Sequence, residues 1–196
     1  MKQIAQLFGS MVAMGFDTSN FAVVGGCLRD RMLDPLAAPK DIDVCIVQHA
    51  RGVFNEVMLP AGWYVDAEFD SDYGGEAKSE DFDKRIENVL KLRWLDPEAK
   101  PFDAQLPLQV DLIFAKERFG SVFKFVREFD FNLNQWMLPA LAIICQADFH
   151  PVFVGDERGK LLETRGTEVD PHRRARMIRL AHQYGWDISD FQGELL

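Results

Sequence analysis

Two aspartates one residue apart, Asp41 and Asp43, stand in an alternating, Ile- and Val-rich stretch from Asp41 to Val47. That pattern predicts a strand. On a strand, residues i and i+2 point to one face. Two carboxylates held side by side repel each other strongly unless a cation accompanies them. A hard, oxygen-seeking ion such as Mg²⁺ (or Mn²⁺) is the natural partner. A third carboxylate, Asp111, lies in a second expected strand, Leu108 to Phe114, with apolar neighbours on both sides. Three strand-borne carboxylates are the usual protein share of a two-metal site, where ions activate an attacking oxygen and stabilise a leaving one. A D-x-D pattern is also what a solvent-facing strand shows, so the segment before it matters.

That segment, Phe21 to Asp30, reads as a strand, a glycine pair and the start of a helix. Gly25 and Gly26 let backbone N–H groups approach phosphate oxygens closely, and a helix N-terminus adds partial positive charge. Arg29, one short turn in, can clamp a phosphate with two parallel hydrogen bonds. A glycine pair followed by D-x-D on the next strand points to a triphosphate and its metal.

These residues carry a resemblance. VVGGCLRDRMLDPLAAPKDIDVCIV, residues 23–47, resembles the G-G-x-x-R-D and D-x-D signature of the class II CCA-adding enzyme and bacterial poly(A) polymerase head. That head belongs to the DNA polymerase β-like nucleotidyltransferase superfamily. Phe129 to Asn134 resembles the family's R-D-F-T-I-N block, with Asp130 and Asn134 in register. Val169 to Arg179 resembles E-D-P-L-R-x-L-R-A-x-R without a gap, and the blocks come in family order over residues 21–188. Two positions depart: Phe129 and Val169 stand where the family has arginine and glutamate.

The resemblance implies a metal-dependent enzyme that moves a nucleoside monophosphate from an NTP to an acceptor hydroxyl and releases pyrophosphate. Gly25, Gly26 and Arg29 would hold the triphosphate. Asp41, Asp43 and Asp111 would bind Mg²⁺ or Mn²⁺, and Asp130 and Asn134 would order the ribose or the loop around it. Asp170 and Arg173 would meet the base edge, with Arg176 one turn on, towards the phosphates. Residues 173 and 176 share a face of a helix. Asp170 before Pro171 also has the form of a helix N-cap, and both roles stay open. The acceptor could be an RNA 3′ end like that of tRNA, a small molecule or a protein. The chain stops about where the family's neck, body and tail would begin, so the tRNA grip is expected to be absent or supplied by a partner subunit. A non-catalytic nucleotide-binding module is the alternative.

The elements that must position these residues follow from periodicity. Apolar residues at near-helical spacing over 2–15 predict a helix, and Phe21 to Val24 a strand. Cys27 to Leu33 and Val53 to Leu59 are expected helices, and Trp63 to Phe69 and Ile86 to Trp94 strands. Asp70 to Lys84 reads as a mobile acidic loop, and Pro97, Pro101 and Pro107 mark another loop. Trp136 to Cys145 has helical spacing, and Phe153 to Glu163 could form a hairpin. Pro171 opens a helix running to about Tyr184, ended by Gly185. The expected fold is α+β, a nucleotidyltransferase-type mixed sheet flanked by helices with a short helical C-terminal end. Residues 1–150 would form the head, and 151–196 a hairpin and nucleotide-facing helix packed with it as one unit.

The 196 residues carry 22 basic and 31 acidic side chains, a net charge of −9. That speaks against a general nucleic-acid binder, which needs a basic footprint. From Arg158 to Arg179, however, seven basic residues face three acidic ones, a local excess of four that suits an anionic ligand. No apolar run reaches the roughly 18 residues of a membrane span. Three widely spaced cysteines, Cys27, Cys45 and Cys145, argue against a disulfide framework and for a reducing, cytoplasmic setting.

Overall fold

The structure, a computed structural model, describes residues 2–34, 41–49, 51–70, 85–98, 107–146, 150–164 and 169–194. The expected loop at 71–84 and Pro101 lie outside them. Within them the chain is α+β. One mixed sheet of seven strands carries the site.

The strands are β1 (Phe21–Val24), β2 (Ile42–Ile46), β3 (Trp63–Asp70), β4 (Ile86–Trp94), β5 (Leu108–Ala115), β6 (Trp136–Pro139) and β7 (Val152–Phe153). Their spatial order is β3-β4-β5-β2-β1-β6-β7. β2 and β5 run parallel, and the other neighbouring pairs are antiparallel. The helices are α1 (Lys2–Ala13), α2 (Gly26–Leu33), α3 (Val122–Arg127), α4 (Ala140–Ile144) and α5 (Pro171–Gln183).

Alternation along the strands gives the sheet two apolar faces. Val23, Val44, Ile46, Leu90, Leu92, Val110 and Leu112 pack with Ile4, Leu7, Phe8 and Met11 of α1, with α4 and with Met177 and Ile178 of α5. The buried positions of α1 recur at helical spacing, as expected. The opposite face, through Val24, Cys45, Val47, Val89 and Ala115, packs under Phe119 and the Val122, Phe125 and Val126 stripe of α3. By parity, Asp43 and Asp111 belong to this second face.

Three local expectations change, and one helix arises where none was expected. Residues 53–59 do not form one helix. Two 3-10 turns, Arg51–Val53 and Glu56–Met58, are separated at Asn55, whose side chain accepts from the Val57 amide at 3.0 Å. Val57 is 93% exposed, so a longer helix would have had no apolar partner for that face. Trp136 to Cys145 divides into β6 and α4, because Pro139 stays extended at the junction (φ −57°, ψ 143°) and ends the strand. Phe153 to Glu163 is not a hairpin. β7 pairs with β6, whereas Glu163 bridges to Phe131. Side chains drive that divergence: the Asn132 amide donates to the carbonyls of Asp156 and Lys160, both at 2.9 Å. Finally, α3 had no sequence expectation, although Ser121 caps it by accepting from the Lys124 amide.

The C-terminal helix matches its expectation. Asp170 caps it, Pro171 opens it, and Gly185 follows at φ +70°. Among the described residues no helix is long and apolar enough to cross a membrane. All three cysteines are free.

Candidate active site

The turn after β1 is built by Gly25. Its φ of +82° and ψ of −146° are conformations that a side chain resists. Its amide donates to the Trp136 carbonyl at 3.0 Å, which fixes the turn to β6. A Cβ at this position would lie 3.4 Å from Asp43 Oδ2. That is ordinary contact distance, so the positive φ, rather than lack of room, is what asks for glycine where α2 begins beside the β2 carboxylate. No side chain caps α2, so its first-turn amides keep their positive end for something else.

Register then sets a row across the sheet. Val24 pairs with Asp43, Asp43 with Asp111, and Asp111 with Lys91. Asp41 lies one residue before β2 rather than within it. Burial raises the Asp43 carboxyl to about 7. The charges of Asp41 and then Asp111 push the same way, against Lys91 and Arg173. Asp111 is differently placed. Its Oδ2 accepts from Lys91 Nζ at 2.9 Å, and its Oδ1 from Gln109 Nε2 at 3.1 Å. Both oxygens of the expected third metal ligand are therefore engaged by the protein. Among the described residues, no three acidic, His or Cys side chains converge as a ready-made ion site. The donor pair left for a hard cation is Asp41 and Asp43, and two carboxylates plus substrate phosphates are a common way to hold Mg²⁺.

Cys27, in the first turn of α2, sits where a helix end would ordinarily lower a thiol's pKa. Burial, and then the Asp43 charge, instead push it up to about 12. It is a protonated packing group.

Arg29 is not a free phosphate clamp here. It is 4% exposed, with its Nε donating to Asp30 Oδ1 at 2.7 Å and its Nη1 to Asn134 Oδ1 at 2.6 Å. Asp30 also accepts from the Tyr184 hydroxyl at 3.0 Å. The Asn134 amide reaches Met177 Sδ at 3.4 Å. The physical reason is burial: a guanidinium taken out of water must spend its donors on nearby acceptors. Arg29 and Asn134 thus join α2, the 131–135 turn and α5.

The other expected pair is also joined. Arg173 forks onto Asp130, with Nε to Oδ2 and Nη2 to Oδ1, the latter at 3.0 Å. That hydrogen bond is the chief reason the Arg173 guanidinium holds its proton even more firmly. The Asp170 carboxylate accepts from the amides of His172 at 3.4 Å and Arg173 at 3.1 Å, which is the capping role. Of the basic segment, Arg174 pairs with Glu163 and Lys160 with Asp190, while Arg158 lies over the Trp136 ring. Much of its excess charge is thus committed internally.

All eleven expected residues nonetheless line one cleft of about 500 Å³: Gly25, Gly26 and Arg29; Asp41, Asp43 and Asp111; Asp130 and Asn134; Asp170, Arg173 and Arg176. That size suits a small-molecule ligand. No protein-family model and no curated protein sequence matches the chain.

Three contributors carried no expectation. Lys91 is an ordinary strand residue until register places it at Asp111, and Gln109 reaches Asp111 as its same-face neighbour two residues earlier on β5. Gln135, 2% exposed, donates to the carbonyls of Arg127 at 2.9 Å and Phe129 at 3.3 Å, and so holds the turn bearing Asp130. Lys91 occurs at an outward step of a strand, which gave no signal. The Asn132–Asn134–Gln135 density of amides in an otherwise apolar stretch was the available clue.

Proposed function

We propose that the chain is a metal-dependent nucleotidyltransferase of the DNA polymerase β-like kind, resembling the head of class II CCA-adding enzymes and poly(A) polymerases. It moves a nucleoside monophosphate from an NTP to an acceptor hydroxyl. The observation that carries this reading is that one cleft among the described residues holds the whole set. It gathers an uncapped helix start, a glycine turn, the strand-borne carboxylates and a helix bearing Arg173 and Arg176.

Each part has a job. The amides at the start of α2 receive phosphate oxygens, with Arg176 as an exposed cation on the far wall. Asp41 and Asp43 would hold Mg²⁺, which when bound neutralises triphosphate charge and makes the α-phosphorus a better electrophile. Arg29, Asn134 and Met177 keep the phosphate wall and the α5 wall at a fixed separation. The Asp130–Arg173 pair shapes the end of the cleft nearest α5, where a ribose and base would lie. In the transfer, the acceptor oxygen bonds to the α-phosphorus as the bond to the bridging oxygen breaks. The hydroxyl proton passes to water and pyrophosphate leaves.

The test is incubation of the pure chain with each α-labelled NTP, Mg²⁺ or Mn²⁺, and total RNA. Metal-dependent label in RNA, in a small molecule or in the chain itself is the expected result and identifies the acceptor. Nucleotide binding by calorimetry without transfer would favour a binding module. Neither binding nor transfer would overturn the proposal.

A further inference from the structure

Resting on that reading, we propose that Lys91 is a built-in cation of the site: its ammonium occupies the charge position beside Asp111, so the protein takes one divalent ion rather than two.

The row across the sheet carries the argument. Lys91, Asp111 and Asp43 are consecutive register partners on β4, β5 and β2. The Lys91 ammonium is 2.9 Å from Asp111 Oδ2, and Gln109 Nε2 donates to Oδ1 at 3.1 Å. The Asp111 side chain is 13% exposed and Lys91 31%, so this ion pair is only partly screened by water. Lys91 is also held from above, with Nζ 5.8 Å from the centre of the Phe69 ring. A divalent ion on Asp111 would have to sit against a fixed ammonium or expel it. Charge balance points the same way. With Asp43 ionised, as on binding an ion, Asp41, Asp43 and Asp111 with Lys91 leave two negative charges, which one divalent ion neutralises. Two ions would leave the protein side of the site positive before any nucleotide entered.

The position is specific. Lysine is the residue of choice for a compact, hydrated point charge on a long stem. Lys91 is therefore a positioning cation for Asp111 and for the charge that collects beside it.

The test counts ions, a readout that a merely structural lysine would not move. The full chain is titrated with Mn²⁺ alone, and free Mn²⁺ is followed by electron paramagnetic resonance. Wild type is expected to bind one ion per chain and Lys91→Met two, with Lys91→Arg remaining at one. Asp43→Asn should bind none or bind at least tenfold more weakly. A urea midpoint for each variant verifies that it is folded. If Lys91→Met does not fold, the wild-type and Lys91→Arg counts still decide. Two tight ions in wild type, or a count of one in a folded Lys91→Met, overturns the proposal. In that event, label transfer from NTP would leave the nucleotidyltransferase reading standing. A wild-type chain that binds neither Mn²⁺ nor NTP overturns both.

Discussion

Asp43 and Asp111 are direct register partners on the parallel strands at the middle of the sheet, yet they live in different electrostatic worlds. Asp111 is neutralised by Lys91 at 2.9 Å. Asp43 is pushed up to about 7, by burial first and its acidic neighbours second.

The sign of the resulting pH dependence follows. A carboxyl raised in the folded state stabilises below its ordinary range and loses that contribution as pH rises through about 7. Asp43→Asn should therefore stabilise the ion-free chain at pH 8, by about 2 kcal/mol given its partial exposure. The gain should shrink towards zero near pH 4. Urea unfolding of both proteins across pH checks this. The same variant should abolish transfer.

Arg29 and Asn134 should behave as stability residues. Removing one partner of a buried charged hydrogen bond leaves the other unpaired, which costs about 2–4 kcal/mol. Arg29→Ala should lower the urea midpoint accordingly, and Asn134→Ala by a smaller amount. A variant that lost NTP affinity at unchanged stability would instead make Arg29 a phosphate clamp alone.

Gly25→Ala should be costly out of proportion to its size. The backbone there has φ +82°, which a side chain resists, and the new methyl would stand in contact with Asp43 Oδ2. Strain of this kind costs about 1–3 kcal/mol. Both the melting temperature and Mn²⁺ affinity should fall. Gly9→Ala, in the middle of α1 with open space around its Cβ, should raise stability instead.

At the start of α5, Asp170→Asn should leave stability almost unchanged, because Asn caps about as well as Asp. Asp170→Ala should cost about 1 kcal/mol. Arg173→Ala releases Asp130 into the cleft and should alter the ranking of ATP, CTP, GTP and UTP in binding. A four-nucleotide profile identical to wild type would make the pair scaffold.

The site was legible in sequence where spacing is local. The glycine pair, D-x-D and the Asp170-Pro171 cap each state their geometry within a few residues. The partners of those residues were not legible. Lys91 meets Asp111 only through strand register, and Arg29 meets Asn134 across most of the chain. Alternation likewise announced β2 and β5, but not that they would lie side by side in parallel. Where local pattern misled, at 53–59 and 136–145, an exposed Val57 and the extended Pro139 decided against a helix.

The central place of β2 has a consequence during folding. Its outer edge stays open until β5, roughly 65 residues further along the chain, has paired with it, and pairing over such sequence separations is slow. An open strand of β-branched residues invites another copy to add itself. Asp41 and Asp43 stand at the start of that edge, where charge repels stacking of identical strands, as gatekeeper residues do. The same carboxylates that strain the finished fold thus protect the unfinished one. Asp43→Asn, the more stable protein once folded, should give more light-scattering aggregate on refolding from urea at pH 8.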